Sequence, residues 1–253
     1  MSKINMGFLF GLLLLITLPV VPARAGDSVL LTSGEWPPFF SESLPGGGMG
    51  NRVVAESFKL VGLSVEFLYQ PWIRAMQTAR YGPAIGSSGW LRTPEREQFF
   101  LFSDPIFTSR RVFFHRRDHA FDWQTLADIK DMRVAVTLGS ADEFPFDDIL
   151  SSGGGKVDIA QSYASGMRKL AAGRVDIYAC NLDVGLHVLK HQLRTGEAAL
   201  ITYHPRSIFE ETNHLIISRR LRDAEAVMAR FNAGLRRLKE SGRYGVVLGG
   251  EGN

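Results

Sequence analysis

Cysteine is nearly missing from this chain of 253 residues: Cys180 is the only one. That excludes an intramolecular disulfide and leaves no N-terminal thiol for a lipid anchor, and a lone internal cysteine reads as a small packed apolar residue. Beyond residue 22 no apolar run approaches the ~20 residues of a membrane-spanning helix. Charge of one sign is not in excess either. The formal net charge is +3, and without Lys3 and Arg24 the chain has 27 basic side chains against 26 acidic ones. Such a balance leaves no electrostatic footprint for nucleic acid.

Cofactor and nucleophile signatures are also missing. Gly46-Gly47-Gly48-Met49-Gly50 is followed by Asn51 where a dinucleotide fingerprint needs glycine, and no Lys-Ser or Lys-Thr follows, so it reads as a turn. Gly86-Ser87-Ser88-Gly89-Trp90 places Trp90 where a nucleophile elbow ends in glycine. His187 and His191 are four apart, a spacing that puts both rings on one helical face, but no glutamate follows His187. His115 and His119 share the spacing but flank Arg116-Arg117. No metal and no cofactor are expected.

What is present begins with residues 1–25. Lys3, an uncharged run over residues 4–22 and Ala23-Arg24-Ala25 read as a secretory signal peptide cleaved after Ala25, which sends the product to the periplasm. The remaining ~228 residues can bury a sufficient core without disulfides. Periodicity predicts strands over 29–32, 65–69 and 84–86, with a helix over 52–60 carrying Val53, Val54 and Phe58 and another opened by Pro71. The same grammar returns with strands over 133–137, 157–160 and 175–179 and helices over 146–150 and 165–172. A strand over 215–218 and an amphipathic helix with Val227, Phe231, Leu235 and Leu238 close the chain, Asp223 standing as its cap. Alternating β and α elements predict an α/β fold of two lobes, each a mostly parallel sheet flanked by helices.

The stretch 88–107, SGWLRTPEREQFFLFSDPIF, carries the most chemistry. Thr93-Pro94-Glu95 is a helix-start signal, and it holds Arg96 beside backbone N–H groups at a positive helix end. A planar guanidinium there receives a carboxylate or closes an ion pair with Glu95 or Glu97; spacing leaves both open.

Thr93-Pro94-Glu95-Arg96 followed by Phe102-Ser103-Asp104-Pro105 resembles the signature of family 3 periplasmic solute-binding proteins of the polar amino-acid type. Further matching pieces are Gly34-Glu35-Trp36-Pro37-Pro38-Phe39, Asp128-Ile129-Lys130-Asp131, Gly173-Arg174-Val175-Asp176 and Ser241-Gly242-Arg243-Tyr244. The resemblance implies a two-lobed periplasmic binding protein fold joined by two hinge crossovers near 108–111 and 206–213. Lobe 1 would comprise 26–110 and 212–253, and lobe 2 would comprise 111–211. It also implies a monomer that binds a small solute and delivers it to the membrane permease of an ABC transporter, not an enzyme.

For the site, the resemblance implies that Arg96 grips the solute's carboxylate, that Ser88, Gly89 and Ser140 donate hydrogen bonds, and that Trp36 and Trp72 sandwich its side chain. Core filling is the alternative for both tryptophans. Trp90 would narrow the pocket and favour a flat or cationic ligand portion; Arg92 binds a second carboxylate or faces solvent. One departure concerns the amine: Asn181 stands where amino-acid binders carry aspartate. An amide cannot balance a buried ammonium. Asp183, Asp142 or Glu143 takes over, or the solute has no amine. Two rivals remain: a periplasmic dehydratase on the same scaffold using Glu35, Asp142 or Glu143 as general acid, and a ligand-sensing subunit for a separate membrane partner.

Overall fold

The computed structural model describes residues 28–138, 146 and 152–249. The chain opens with β1 (Ser28–Ser33), whose first residue is exposed and whose Leu31, Thr32 and Ser33 are fully buried. A three-glycine turn with positive φ at Gly46, Gly47 and Gly48 leads into α1 (Met49–Lys59). Its Val53, Val54 and Phe58 are buried as the periodicity predicts. Then come β2 (Ser64–Tyr69), α2 (Trp72–Tyr81), β3 (Gly86–Trp90), the short α3 (Pro94–Glu97), β4 (Phe100–Phe102) and the ten-residue β5 (Phe107–Arg116). The second half contains β6 (Arg133–Thr137), β7 (Lys156–Ala160), α4 (Tyr163–Ala171), β8 (Ile177–Asn181), α5 (Leu182–His191), α6 (Thr195–Ala199) and the long β9 (Ile201–Ser218). Helices α7 (Ala224–Glu240) and α8 (Tyr244–Gly249) end the described chain.

The strands follow the order β2-β1-β3-β9-β5-β8-β6-β7, with β4 also on β9. The outer pairs β1–β2, β1–β3, β6–β7 and β6–β8 are parallel, as an alternating β/α grammar requires. The middle is antiparallel. β9 pairs β5 through residues 201–213 and then pairs β3 and β4 through residues 214–218, so one strand serves both half-sheets. The two segments expected as crossovers lie against each other there, with Thr108 opposite Thr212 and Arg110 opposite Glu210. Periodicity did not pick out β5, because four of its residues in a row, Arg111 to Phe114, are buried and the alternation disappears.

Some details differ from expectation, and the strand expected over 215–218 is the last part of β9 (Ile201–Ser218). The third strand runs over Gly86–Trp90 instead of 84–86, because Ser87 and Ser88 satisfy their hydroxyls inside and so tolerate full burial. The strand expected over 175–179 lies at Ile177–Asn181, which puts Asn181 at its carboxyl end. Asp223 occupies the N-cap position of α7, but its side chain makes no capping bond. The helix expected over 146–150 falls outside the described residues apart from Phe146, a buried ring in the second half's core.

The C-terminal helix finds its apolar partner in α1. Phe58 and Phe231 are fully buried with ring centroids 4.9 Å apart, and burying each stabilises the fold by about 1.5–3 kcal/mol. Gly234 permits the approach: a Cβ there would lie 1.9 Å from the carbonyl oxygen of Ser57.

Candidate functional site

In open α/β sheets the loops at the carboxyl ends of the strands form the ligand crevice. Two of the three expected loops are described, those following β1 and ending β3; the third, with Ser140, Asp142 and Glu143, lies outside the described residues.

After β1, the chain turns back on itself through hydrogen bonds between Trp36 and Phe40. This turn stands Trp36 against Phe39, with ring centroids 4.9 Å apart. Trp72, the first residue of α2, meets the ring of Phe40 edge-on at 5.9 Å and donates its indole N–H to the carbonyl of Glu35 at 3.3 Å. Gly34 is obligatory beside it, since a Cβ would come within 2.4 Å of that indole. Trp72 in turn meets Trp90 edge-on, at 5.3 Å and 90°. Trp90 is turned to this position by a bulge at Gly89, whose φ of +87° suits glycine. The guanidinium of Arg96 lies 5.0 Å from the Trp90 ring and donates to the carbonyl of Leu91 at 2.8 Å. The expected cap is present as well, with the Arg96 N–H donating to the Thr93 hydroxyl.

Trp36, Phe40, Trp72, Trp90 and Arg96 therefore form one continuous wall ending in a cation. Trp90 is buried, while Trp36 and Trp72 are half-exposed. The buried indole N–H of Trp90 has no hydrogen-bond partner among the described residues. Glu97, one of the two acids expected to compete for Arg96, pairs with Arg92 at 2.5 Å. That pair is exposed, and of the two alternatives for Arg92 it is the solvent-facing one that the pair agrees with.

Ser88 is fully buried, and its hydroxyl donates to Asn51 Oδ1 at 2.6 Å. Asn51 then donates to Ser33 Oγ at 3.1 Å and to the Tyr69 hydroxyl at 3.0 Å. Burial, the largest influence, raises the Tyr69 pKa above its ordinary value. This polar network under the wall was missed by sequence reasoning. A signal existed: Asn51, Val54 and Phe58 recur at helical spacing, so Asn51 sits on the buried face of α1.

Across the sheet junction, Trp36 Nε1 donates to the Tyr163 hydroxyl at 3.1 Å. Tyr163 opens α4, which follows β7, so this bond joins the first half to the second. Asn181 ends β8 and caps α5, its Oδ1 accepting from the N–H groups of Asp183 at 3.1 Å and Val184 at 3.3 Å. With the oxygen used as a cap, the buried Nδ2 has no hydrogen-bond partner among the described residues. Asp183 lies in the first turn of α5, and burial raises its carboxyl pKa, opposed by its own backbone N–H and by Arg110.

Arg111 was also missed. It is buried opposite Asn181 in the β5–β8 pairing, with Glu211 at 3.6 Å and the Phe209 ring at 5.2 Å. Cys180 is fully buried, and burial pushes its thiol up to about 12, so it is packed and not nucleophilic. His187 and His191 have rings 4.6 Å apart, and no group of three metal-ligating side chains occurs among the described residues.

A mixed sheet shared by two half-sheets, with helices around it and ligand-type loops at the junction, defines the two-lobed periplasmic binding protein fold. The chain belongs to the bacterial extracellular solute-binding proteins, family 3, whose pattern matches residues 29–248. Among its relatives, the L-cystine-binding protein TcyA of Bacillus subtilis (strain 168) is 26% identical over 228 residues, covering 87% of this chain and 78% of TcyA. Solved structures share the fold as well, two of them as follows. The second substrate-binding domain of a putative amino acid ABC transporter from Streptococcus pneumoniae Canada MDR_19A superposes with a TM-score of 0.67 at 19% identity, covering 87% of this chain and 98% of that one. The ancestral amino acid-binding protein AncCDT-1, a precursor of cyclohexadienyl dehydratase, superposes with a TM-score of 0.63 at 20% identity, covering 87% and 93%.

Proposed function

We propose that this chain captures a small carboxylate-bearing solute of the polar amino-acid kind, closing two lobes over it, and as a monomer presents it to the membrane permease of an ABC-type uptake transporter. The lobes are 26–110 with 212–253, and 111–211, and β5 and β9 act as the hinge. The protein reaches the periplasm after cleavage behind Ala25. Arg96 takes the carboxylate, Trp36, Trp72 and Trp90 take the solute's body, and the backbone at Ser88 and Gly89 and the turn at Ser140 supply donors. Asn181 and Asp183 meet the solute from the second lobe. Because Asn181 presents an NH2 group, Asp183 is the acid left for an ammonium.

One observation carries this reading: the Arg96 guanidinium is stacked on a buried tryptophan at the end of an aromatic wall that hydrogen-bonds to the other half through Trp36. A rigid cation beside apolar faces suits a small molecule with a carboxylate at one end.

A thermal-shift screen over amino acids, L-cystine and small carboxylic acids tests it. A ligand present at one hundred times its dissociation constant adds about 2.7 kcal/mol to stability. Arg96→Ala is expected to abolish the shift for the best ligand, and an unchanged shift would move the site elsewhere. AncCDT-1 favours a second reading, since it is described as both amino acid-binding and a precursor of a dehydratase. Recovery of the ligand unchanged after long incubation supports binding, whereas a dehydrated product would establish the enzyme.

A further inference from the structure

The chain has six histidines, and four of them commit a ring nitrogen to a hydrogen bond: His115 with the Arg116 carbonyl, His119 with Asp118, His204 with Asp122 and His214 with the Ser103 carbonyl. His187 and His191 are the exceptions. Their rings face each other but form no hydrogen bond or ion pair among the described residues. Both lie on α5, where a separation of four residues brings side chains together on one face. The ring centroids are 4.6 Å apart and the planes are inclined by 40°. An ion bound at ~2.0–2.1 Å by one nitrogen of each ring needs those nitrogens roughly 3 Å apart, a spacing that rings so placed can reach. His187 is half-buried and His191 exposed, and both line a cleft of about 940 Å3 between α5, α1 and α8. Water therefore has room to take the remaining coordination positions.

We propose that His187 and His191 form a binding site for a divalent transition-metal ion that prefers imidazole nitrogen, Cu2+ before Ni2+ or Zn2+, with the two rings as its protein ligands. The glutamate missing after His187 does not count against it, because in the zinc-protease pattern that residue is the general base and the two histidines bind the ion. Glu56 lines the same cleft but is engaged by Arg243 at 3.0 Å and by Lys59 at 3.4 Å, so it is not counted as a ligand. Lys190 and Arg243 also line the cleft, and their charges oppose any dication. That selects against Mg2+ and Ca2+, which take oxygen ligands, and favours Cu2+, which leads the affinity order for nitrogen sites. The site is separate from the aromatic wall and does not rest on the solute-binding reading.

Calorimetric titration of the untagged secreted protein with CuCl2 tests this. One equivalent is expected to bind, with nitrogen ligands visible by electron paramagnetic resonance. His187→Asn and His191→Asn are each expected to weaken binding at least about tenfold, while His119→Asn, which alters the other histidine pair of the same spacing, leaves it unchanged. Because His191 is exposed, its variant is expected to keep the melting temperature of the natural protein, which separates a lost ligand from a lost fold. Three results would overturn the proposal: no binding, unaltered binding in both His187→Asn and His191→Asn, or loss of binding in His119→Asn.

Discussion

At the scale of single residues, the site depends on which groups are already occupied. Ser88, Asn51, Ser33 and Tyr69 satisfy one another, so the polar layer under the wall is structural. Arg96 stays at the surface of that layer because Trp90 and the Leu91 carbonyl fix it. Asp183 is different in kind. Its folded-state pKa is raised chiefly by burial, so its protonated form is favoured in the fold, and the stability it contributes is present below the ordinary carboxylate range and lost as pH rises through the folded value. Asp183→Asn is therefore expected to raise the melting temperature of the unliganded protein at pH 7, a gain that vanishes below about pH 4. On the role proposed for Asp183, the same substitution is expected to weaken binding of amine-bearing solutes. A melting temperature that does not rise at pH 7 would show that Asp183 is solvated in the fold. Asn181, two residues earlier, is an amide where the family resemblance implies an acid; its role as helix cap depends on the strand ending two residues later than periodicity predicts.

At the scale of elements, the amphipathic helices were the most legible part of the chain. Val53, Val54 and Phe58 on α1 and Phe231, Leu235 and Leu238 on α7 all face the core. What periodicity did not show is how closely the two helices approach. Gly234 lies under the Ser57 carbonyl with no room for a methyl group, so Gly234→Ala is expected to destabilise by about 1–3 kcal/mol through overpacking, measured by urea unfolding. A loss no larger than a few tenths would show that the helices separate without cost. The strands were harder to read. β3 is a buried Gly-Ser-Ser-Gly-Trp segment with no apolar alternation, and β5 and β9 are long strands whose buried runs and polar stretches obscure a period of two.

At the scale of the whole molecule, the contact between Trp36 and Tyr163 connects two half-sheets that otherwise share β5 and β9. A neutral hydrogen bond contributes only about 0.5–1.5 kcal/mol net, enough to shift an open–closed balance roughly two- to tenfold without locking it. Trp36→Phe keeps most of the ring and removes the donor. Small-angle scattering of the unliganded variant is expected to give a larger radius of gyration than the natural protein, and an unchanged radius would mean that this bond does not hold the halves together.

The residue order by itself determined the α/β class, the amphipathic helices and the T-P-E-R start that holds Arg96, because these depend on side chains within a few positions of one another. Only the tertiary structure decided that Glu97 goes to Arg92, that Ser88 turns inward to Asn51, and that Trp36 reaches Tyr163 127 residues away. Which partner a polar group takes is set by the space and unmet hydrogen bonds around it once the chain is packed, and those neighbours come from distant parts of the chain.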